Sequence, residues 1–411
     1  MSELTRTKLP RPVVQWVSRA TAPLARDLSE VGPIGAIATS IRGAAHLQKT
    51  IAVVGSHGLG VFVDTEAWRT QLEPDDPARA EEFRRVGLDW MPKERFLPSE
   101  VRVSAADRNE IVARHRDAQV AAGGTLLVSP CHRVREGVPL SRGRLLDLDL
   151  ARDFTHLARR SGATQPTPQQ GLPRSVAVAL AVDARTLEPA VINELVAGYR
   201  EIEADLFWIW VWNFEPSGRQ YERVRSFARR LQNESATPCL LGGIGRLYEA
   251  ALRNQIGAVC QGWGRNELPF PPPDPPEAME DGEEDSGWGV HVFHPGIRGT
   301  TRLGFENEAP LRRLFRLGPC HCGCHPPNEV PDSQPDRHAH NRYCVEELSS
   351  AALRLEPDRA REEFAEIVAA ADQLRGHLEL SALRPGWRKA AEDDSEVPRV
   401  ELPANLWRRS A

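Results

Sequence analysis

From residue 124 onward the chain repeats one pattern, a short continuous apolar run followed by a longer amphipathic stretch. The apolar runs are residues 124–128, 176–182, 206–212, 239–241 and 256–259. Between them, residues 148–160, 188–204, 218–233 and 246–255 place apolar side chains at helical spacing. A run that is apolar at every position suits a strand buried on both faces, as in a parallel sheet covered by helices. Four strand–helix units in succession predict an α/β fold. Residues 51–54 and 61–63 add earlier strands and residues 290–293 a later one, which suits a (β/α)8 TIM-type barrel. A doubly wound open sheet is the alternative.

The remaining segments have different textures. Residues 1–50 mix short helical patterns with loops and are expected to form an N-terminal extension. The charged stretch 73–118 reads as a surface insertion running into a helix over 105–122. Residues 269–285 are Pro-rich and then acidic, a composition that stays solvated. Helices are expected over 343–353 and 357–380, and residues 386–411 read as a loose tail.

Composition narrows the class only slightly. Of 411 residues, 41% are hydrophobic and 27% charged, as in an ordinary globular protein, and the net charge of −5 exerts no global pull on nucleic acid. No apolar run is long enough to span a bilayer, and residues 1–10 lack a signal-peptide apolar block. The expectation is therefore a cytoplasmic protein without a membrane partner. Thiols stay reduced there, so the seven cysteines do not read as a disulfide framework.

Three of those cysteines fall within five residues, in the run Cys320-His321-Cys322-Gly323-Cys324-His325. Thiolate and imidazole donors at this density suit zinc. Two sets remain open within the run: Cys320, Cys322 and His325, or Cys320, Cys322 and Cys324. A downstream donor from His338, His340 or Cys344 would complete a tetrahedron. The expected organisation is then a barrel over 51–300, a zinc-binding lobe with C-terminal helices over 301–385, and a tail over 386–411.

Other candidates each have a plain structural explanation beside the functional one. Asp64 ends a strand, where barrel enzymes keep their acids and bases, but a turn-forming Asp is equally ordinary. Gly242 and Gly243 open a strand-to-helix turn whose amides suit an anion, or simply a tight turn. Trp208, Trp210 and Trp212 share one strand face, as a stacking platform or as core. His291 and His294 flank a two-residue strand segment. Cys131 and Cys260 each end a strand, with no base assigned to either by sequence.

The order of features resembles the tRNA-guanine transglycosylase superfamily, whose members exchange bases in tRNA or DNA. The resemblance rests on a barrel-like series, then Cys320 and Cys322 with His325 or Cys324 in the third place, then His340-Asn341 opening a helix. It implies zinc held by Cys320, Cys322, one of Cys324 and His325, and His340. Residues 61–64 resemble the strand ending in the family's catalytic Asp, here Asp64. Residues 241–245 resemble the turn before its penultimate helix, which makes Gly242 and Gly243 substrate-binding candidates. The position of the nucleophilic Asp is occupied by Cys260, and the family's recognition Gln falls near Asp183. The resemblance therefore implies a base-modifying transferase with an altered or lost reaction, acting on tRNA or DNA. Arg312, Arg313, Arg316, Arg337 and Arg342 would supply a basic groove. The alternatives are a non-catalytic zinc-stabilised subunit, working as a homo-oligomer or with a partner, and a small-molecule barrel enzyme.

Overall fold

A computed structural model describes residues 11–17, 28–40, 58–64, 104–131, 140–161, 175–214, 217–244, 247–261, 291–302, 308–331, 334–354, 357–378, 382–383, 385–392, 400, 402–403 and 406–407. Eight parallel strands close into a barrel: β1 (Val13–Val17), β2 (Ile34–Ser40), β3 (Gly60–Asp64), β4 (Leu126–Val128), β5 (Ser175–Asp183), β6 (Leu206–Trp212), β7 (Cys239–Gly242) and β8 (Ala258–Gln261). β8 pairs with β1 through Val13↔Val259 and Val14↔Cys260, which closes the ring. The expected barrel is thus present and the open sheet is not. Two of its strands, β1 and β2, lie within residues 1–50, where an extension was expected. The expected strand at 51–54 lies outside the described residues.

Helices α1 (Ala105–Ala121), α2 (Leu140–Ser161), α3 (Pro189–Tyr199), α4 (Gly218–Ser235) and the short α5 (Tyr248–Arg253) follow successive strands. Their starts are written locally. Ser104 and Ser217 accept the Asp107 and Gln220 amides as N-caps, and Pro189 opens α3 where no N–H is needed. Gln232 of α4 reaches under the sheet, and its side-chain oxygen accepts from Cys239 N at 3.0 Å and Gly257 N at 2.7 Å. That one buried amide sets the entry of both β7 and β8.

Alternate residues of each strand fill the barrel interior. Trp16, Phe62, Trp208 and Trp210 occupy most of the space, and Ala36, Ala38, Ala177 and Ala179 give them room. Trp208 and Trp210 lie 4.7 Å apart, with Trp16 edge-on to Trp210 at 5.6 Å and Phe62 edge-on to Trp208 at 5.4 Å. Trp208 and Trp210 are therefore core, buried to 0% and 2% exposure, and not a stacking platform. The N-terminal end of the barrel is closed from the far end of the chain. Trp407 packs on Phe62, donates its indole N–H to Arg11 O at 2.9 Å, and lies against Gly35 and Gly60. Part of the expected loose tail is thus a plug.

After β8 come an antiparallel hairpin, β9 (His291–His294) and β10 (Gly299–Arg302), and helices α6 (Glu308–Leu317), α7 (Gln334–Arg354), α8 (Pro357–His377) and α9 (Pro385–Ala391). Among the described residues no helix is long and apolar enough to cross a membrane.

Candidate metal centre and barrel mouth

The segment between α6 and α7 is a compact knuckle. Cys320 N donates to Pro327 O at 2.8 Å, and Gly323 turns the chain with φ +74°. α7 then presents His340 and, one turn later on the same face, Cys344. Phe315 of α6 forms the floor, its ring 5.4 Å from His325 and 5.7 Å from His340.

The result is one convergent donor set. Ligand atoms of Cys320, Cys322, His325 and His340 all lie within 4.8 Å of one another. His325 Nδ1 faces Pro326 O at 2.8 Å, which fixes its N–H there and leaves Nε2 as the inward lone pair. His325 Nε2 lies 3.2 Å from His340 Nδ1, and Cys320 Sγ lies 3.4 Å from the same nitrogen. A tetrahedral ion with bonds of about 2.0–2.3 Å needs donor–donor edges of about 3.3–3.8 Å. The set fits a metal ion on donor chemistry and on spacing. Of the two sets left open by sequence, the convergent one takes His325. Cys324 stands outside it, with its Sγ 2.7 Å from that of Cys322.

The electrostatics agree with a cation site. The Cys344 thiol hydrogen-bonds Cys320 and lowers its pKa to about 3 against the opposing effect of burial, with His340 adding to the fall. Burial raises Cys322 to about 12 and also raises Cys324, and it lifts Cys344 well above its ordinary value. Negative charge on Cys320 opposes ionisation of the neighbouring thiols. A bound cation reverses this balance and releases the remaining ligand proton.

His294 is a support and not a ligand. Its Nε2–H donates to Gly318 O at 2.7 Å, its Nδ1 accepts Gly296 N at 3.2 Å, and its ring meets Phe315 edge-on at 4.8 Å. Burial lowers its pKa to about 4, as suits this neutral tautomer. The side chains of His291 and His338 lie outside the described residues.

At the C-terminal mouth of the barrel the strand alternation that turns Phe62 inward also turns Asp64 toward the axis. Cys260, three strands away around the ring, is buried beneath it. Burial first, and the Asp64 carboxylate second, push the Cys260 thiol far above its usual value. Cys131 is raised in the same way, with the Asp147 charge ahead of that of Asp64. The charge of Asp64 thus acts on both Cys260 and Cys131, and that of Asp147 acts on Cys131. Asp147 carries no strand-end signal in the sequence, since it comes from the middle of α2.

Asp183 ends β5 in a fixed frame. It accepts Asn213 Nδ2 at 2.7 Å and Arg185 N at 2.9 Å, and pairs with the Arg185 guanidinium at 3.0 Å. A cavity beside it is lined by Asp147, Asp183, Thr186, Leu187, Val191 and Tyr199. Gly242 and Gly243 have steric duties. A Cβ at Gly242 would enter the Trp210 ring, and one at Gly243, with φ +76°, would strike Val211 O. The helix after them has six residues, too short to present an extended anion site. Arg312, Arg313 and Arg316 are exposed on α6 and Arg342 is half-buried on α7, whereas the Arg337 side chain lies outside the described residues.

No protein-family model matches the chain, and no curated protein matches it.

Proposed function

We propose that the chain is a divergent relative of the tRNA-guanine transglycosylase superfamily that works in base modification of tRNA or DNA, with zinc in the Cys320, Cys322, His325 and His340 centre. The observation that carries this reading is the convergence of those four donors in a lobe directly after a closed eight-stranded barrel. Two thiolates and two imidazoles in a closed set suit a structural zinc ion, which would hold the knuckle against α7. The chemistry belongs at the barrel mouth, where Asp64 is the candidate acid or base and Asp183 a candidate ligand contact. The exposed arginines of α6 offer phosphate contacts, so binding should weaken steeply with salt.

One observation favours a second reading. Base exchange through a glycosyl–carboxylate intermediate needs a nucleophilic carboxylate at the end of β8, and the buried thiol of Cys260 stands in that place. A binding subunit that retains the fold and the zinc, in its own oligomer or with a partner chain, accounts for this directly.

The two readings separate in one experiment. The purified protein is incubated with tRNA or duplex DNA and labelled guanine, and its binding to each is followed as salt is raised. Label transferred into nucleic acid, and lost in Asp64→Asn, supports the enzyme. Salt-sensitive binding without transfer supports the subunit. Absence of both sinks the nucleic-acid reading. Metal analysis of the same sample tests zinc independently.

A further inference from the structure

We propose that Cys322 and Cys324 form an oxidisable dithiol, a modification site for a peroxide, and that its oxidation dismantles the metal centre. Four features of the knuckle converge on this. The two sulfurs lie 2.7 Å apart. Only Cys322 belongs to the convergent donor set, so the Cys324 sulfur lies beside a ligand without being one of the four donors. Both side chains are partly exposed, unlike Cys320 and Cys344, which are buried. Gly323 between them has φ +74° and open space where a Cβ would be, so the backbone can tighten its turn without meeting a neighbour. Cα atoms two residues apart are separated by at most about 7 Å, and a turn brings them into the roughly 4.4–6.8 Å range that a disulfide spans.

The chemistry balances with hydrogen peroxide as oxidant. The Cys324 sulfur attacks one peroxide oxygen, the O–O bond breaks, and the departing hydroxide takes the thiol proton as water. Cys324 is then a sulfenic acid. The Cys322 sulfur attacks that sulfur, the S–S bond forms, and hydroxide leaves as a second water with the Cys322 proton or one from solvent. The two thiols lose two electrons and two protons, and the peroxide gains them. A disulfide sulfur carries no charge and is a poor metal ligand. The centre falls from four donors to three, and a dithiol reductant restores it.

The metal consequence rests on the zinc reading, but the dithiol does not. The test uses the full-length protein loaded with zinc and treated with hydrogen peroxide. Released zinc is followed with a chromogenic chelator, and alkylated peptides are mapped by mass. The expected result is a peptide linked between Cys322 and Cys324, lighter by two hydrogens, appearing in step with zinc release. Cys324→Ser keeps all four convergent donors and should slow release at least about tenfold, because Cys322 loses the partly exposed partner sulfur that lies 2.7 Å from it, and the remaining sulfurs of the centre, Cys320 and Cys344, are buried. Equal release from both proteins, or oxidation without a Cys322–Cys324 link, overturns the proposal. A protein that takes up no zinc would remove the zinc reading alone. The mapping would then decide the dithiol by itself.

Discussion

At Gly243 the turn after β7 leaves no room for a side chain. The residue is held at φ +76°, and any Cβ would collide with Val211 O on the neighbouring strand. Gly243→Ala should lower stability by more than about 2 kcal/mol, through backbone strain together with a displaced strand. Gly376 in α8 is the internal comparison. Nothing lies near its absent Cβ, so Gly376→Ala should be neutral or stabilising by up to about 1 kcal/mol. Denaturant midpoints of the two variants check both statements, and equal shifts would refute the steric account. These glycines also mark what sequence alone conveys. The pair at 242–243 signals a tight strand-to-helix turn. It does not say whether the turn serves a ligand or Trp210, because the ring that fills the space arrives from another strand. The same limit applied to Trp208 and Trp210: their shared face was legible, but the alanines opposite them became neighbours only through strand pairing.

At the scale of elements, the hairpin β9–β10 joins the lobe to the barrel through charge and a neutral histidine. Glu249 of α5, fully buried, lies between Arg253 Nε at 3.3 Å and Arg298 Nε at 3.0 Å, and Arg253 stacks over Phe364 of α8 at 5.2 Å. Removing the central carboxylate leaves Arg298 without its buried counter-charge and Arg253 with the partly exposed Glu363, 3.5 Å from its Nη2. Glu249→Ala should cost about 3–5 kcal/mol, the range found when one partner of a buried pair is deleted. Replacing all three by packed apolar residues should cost far less, and a cycle of single and combined variants measures the difference. His294 gives this junction a pH dependence. Its folded pKa of about 4 lies below the unfolded value near 6.5, so the unfolded chain binds the proton first. Its contribution is complete above about pH 6.5 and drains away as pH falls towards about 4, on the order of 3 kcal/mol in all. His294→Asn should flatten the stability-versus-pH curve in that window, and an unchanged slope would remove His294 from the account. The hairpin strand was legible as an apolar run and its histidines as candidate ligands, but the run was counted to the barrel, which closes at β8 without it because its pairing partner is β10. That His294 supports Gly318 instead was not legible, since its partner is a backbone carbonyl.

For the whole molecule, the barrel and the lobe differ in what holds them. The barrel has two large apolar clusters, one inside the strands and one between strands and helices. Its series of strands and helices could be read from the chain because each unit is local. The plug could not, because Trp407 bonds to Arg11 at the opposite end of the sequence. The lobe has a much smaller cluster built on Val292, Ile297, Leu314, Phe315 and Cys320, and the candidate metal ligands border it: Cys320 belongs to it, Cys322 packs against it, and Phe315 meets His325 and His340. Removing the metal should therefore act regionally. A cation that binds only the folded lobe stabilises it by about 2.7 kcal/mol at a hundredfold excess over its dissociation constant, and its removal reverses that in the lobe first. Hydrogen exchange before and after chelation is the measurement. Amides of residues 318–344 should lose protection early, while those of β5 and β6 keep theirs, because their side chains pack in clusters that contain none of the four ligands. Re-adding zinc should restore the protection of 318–344. Loss of protection in β5 and β6 together with the lobe would mean that barrel and lobe fold as one unit and that the metal centre holds both. No change in 318–344 would mean that Phe315 and the hairpin suffice to hold the knuckle without a metal.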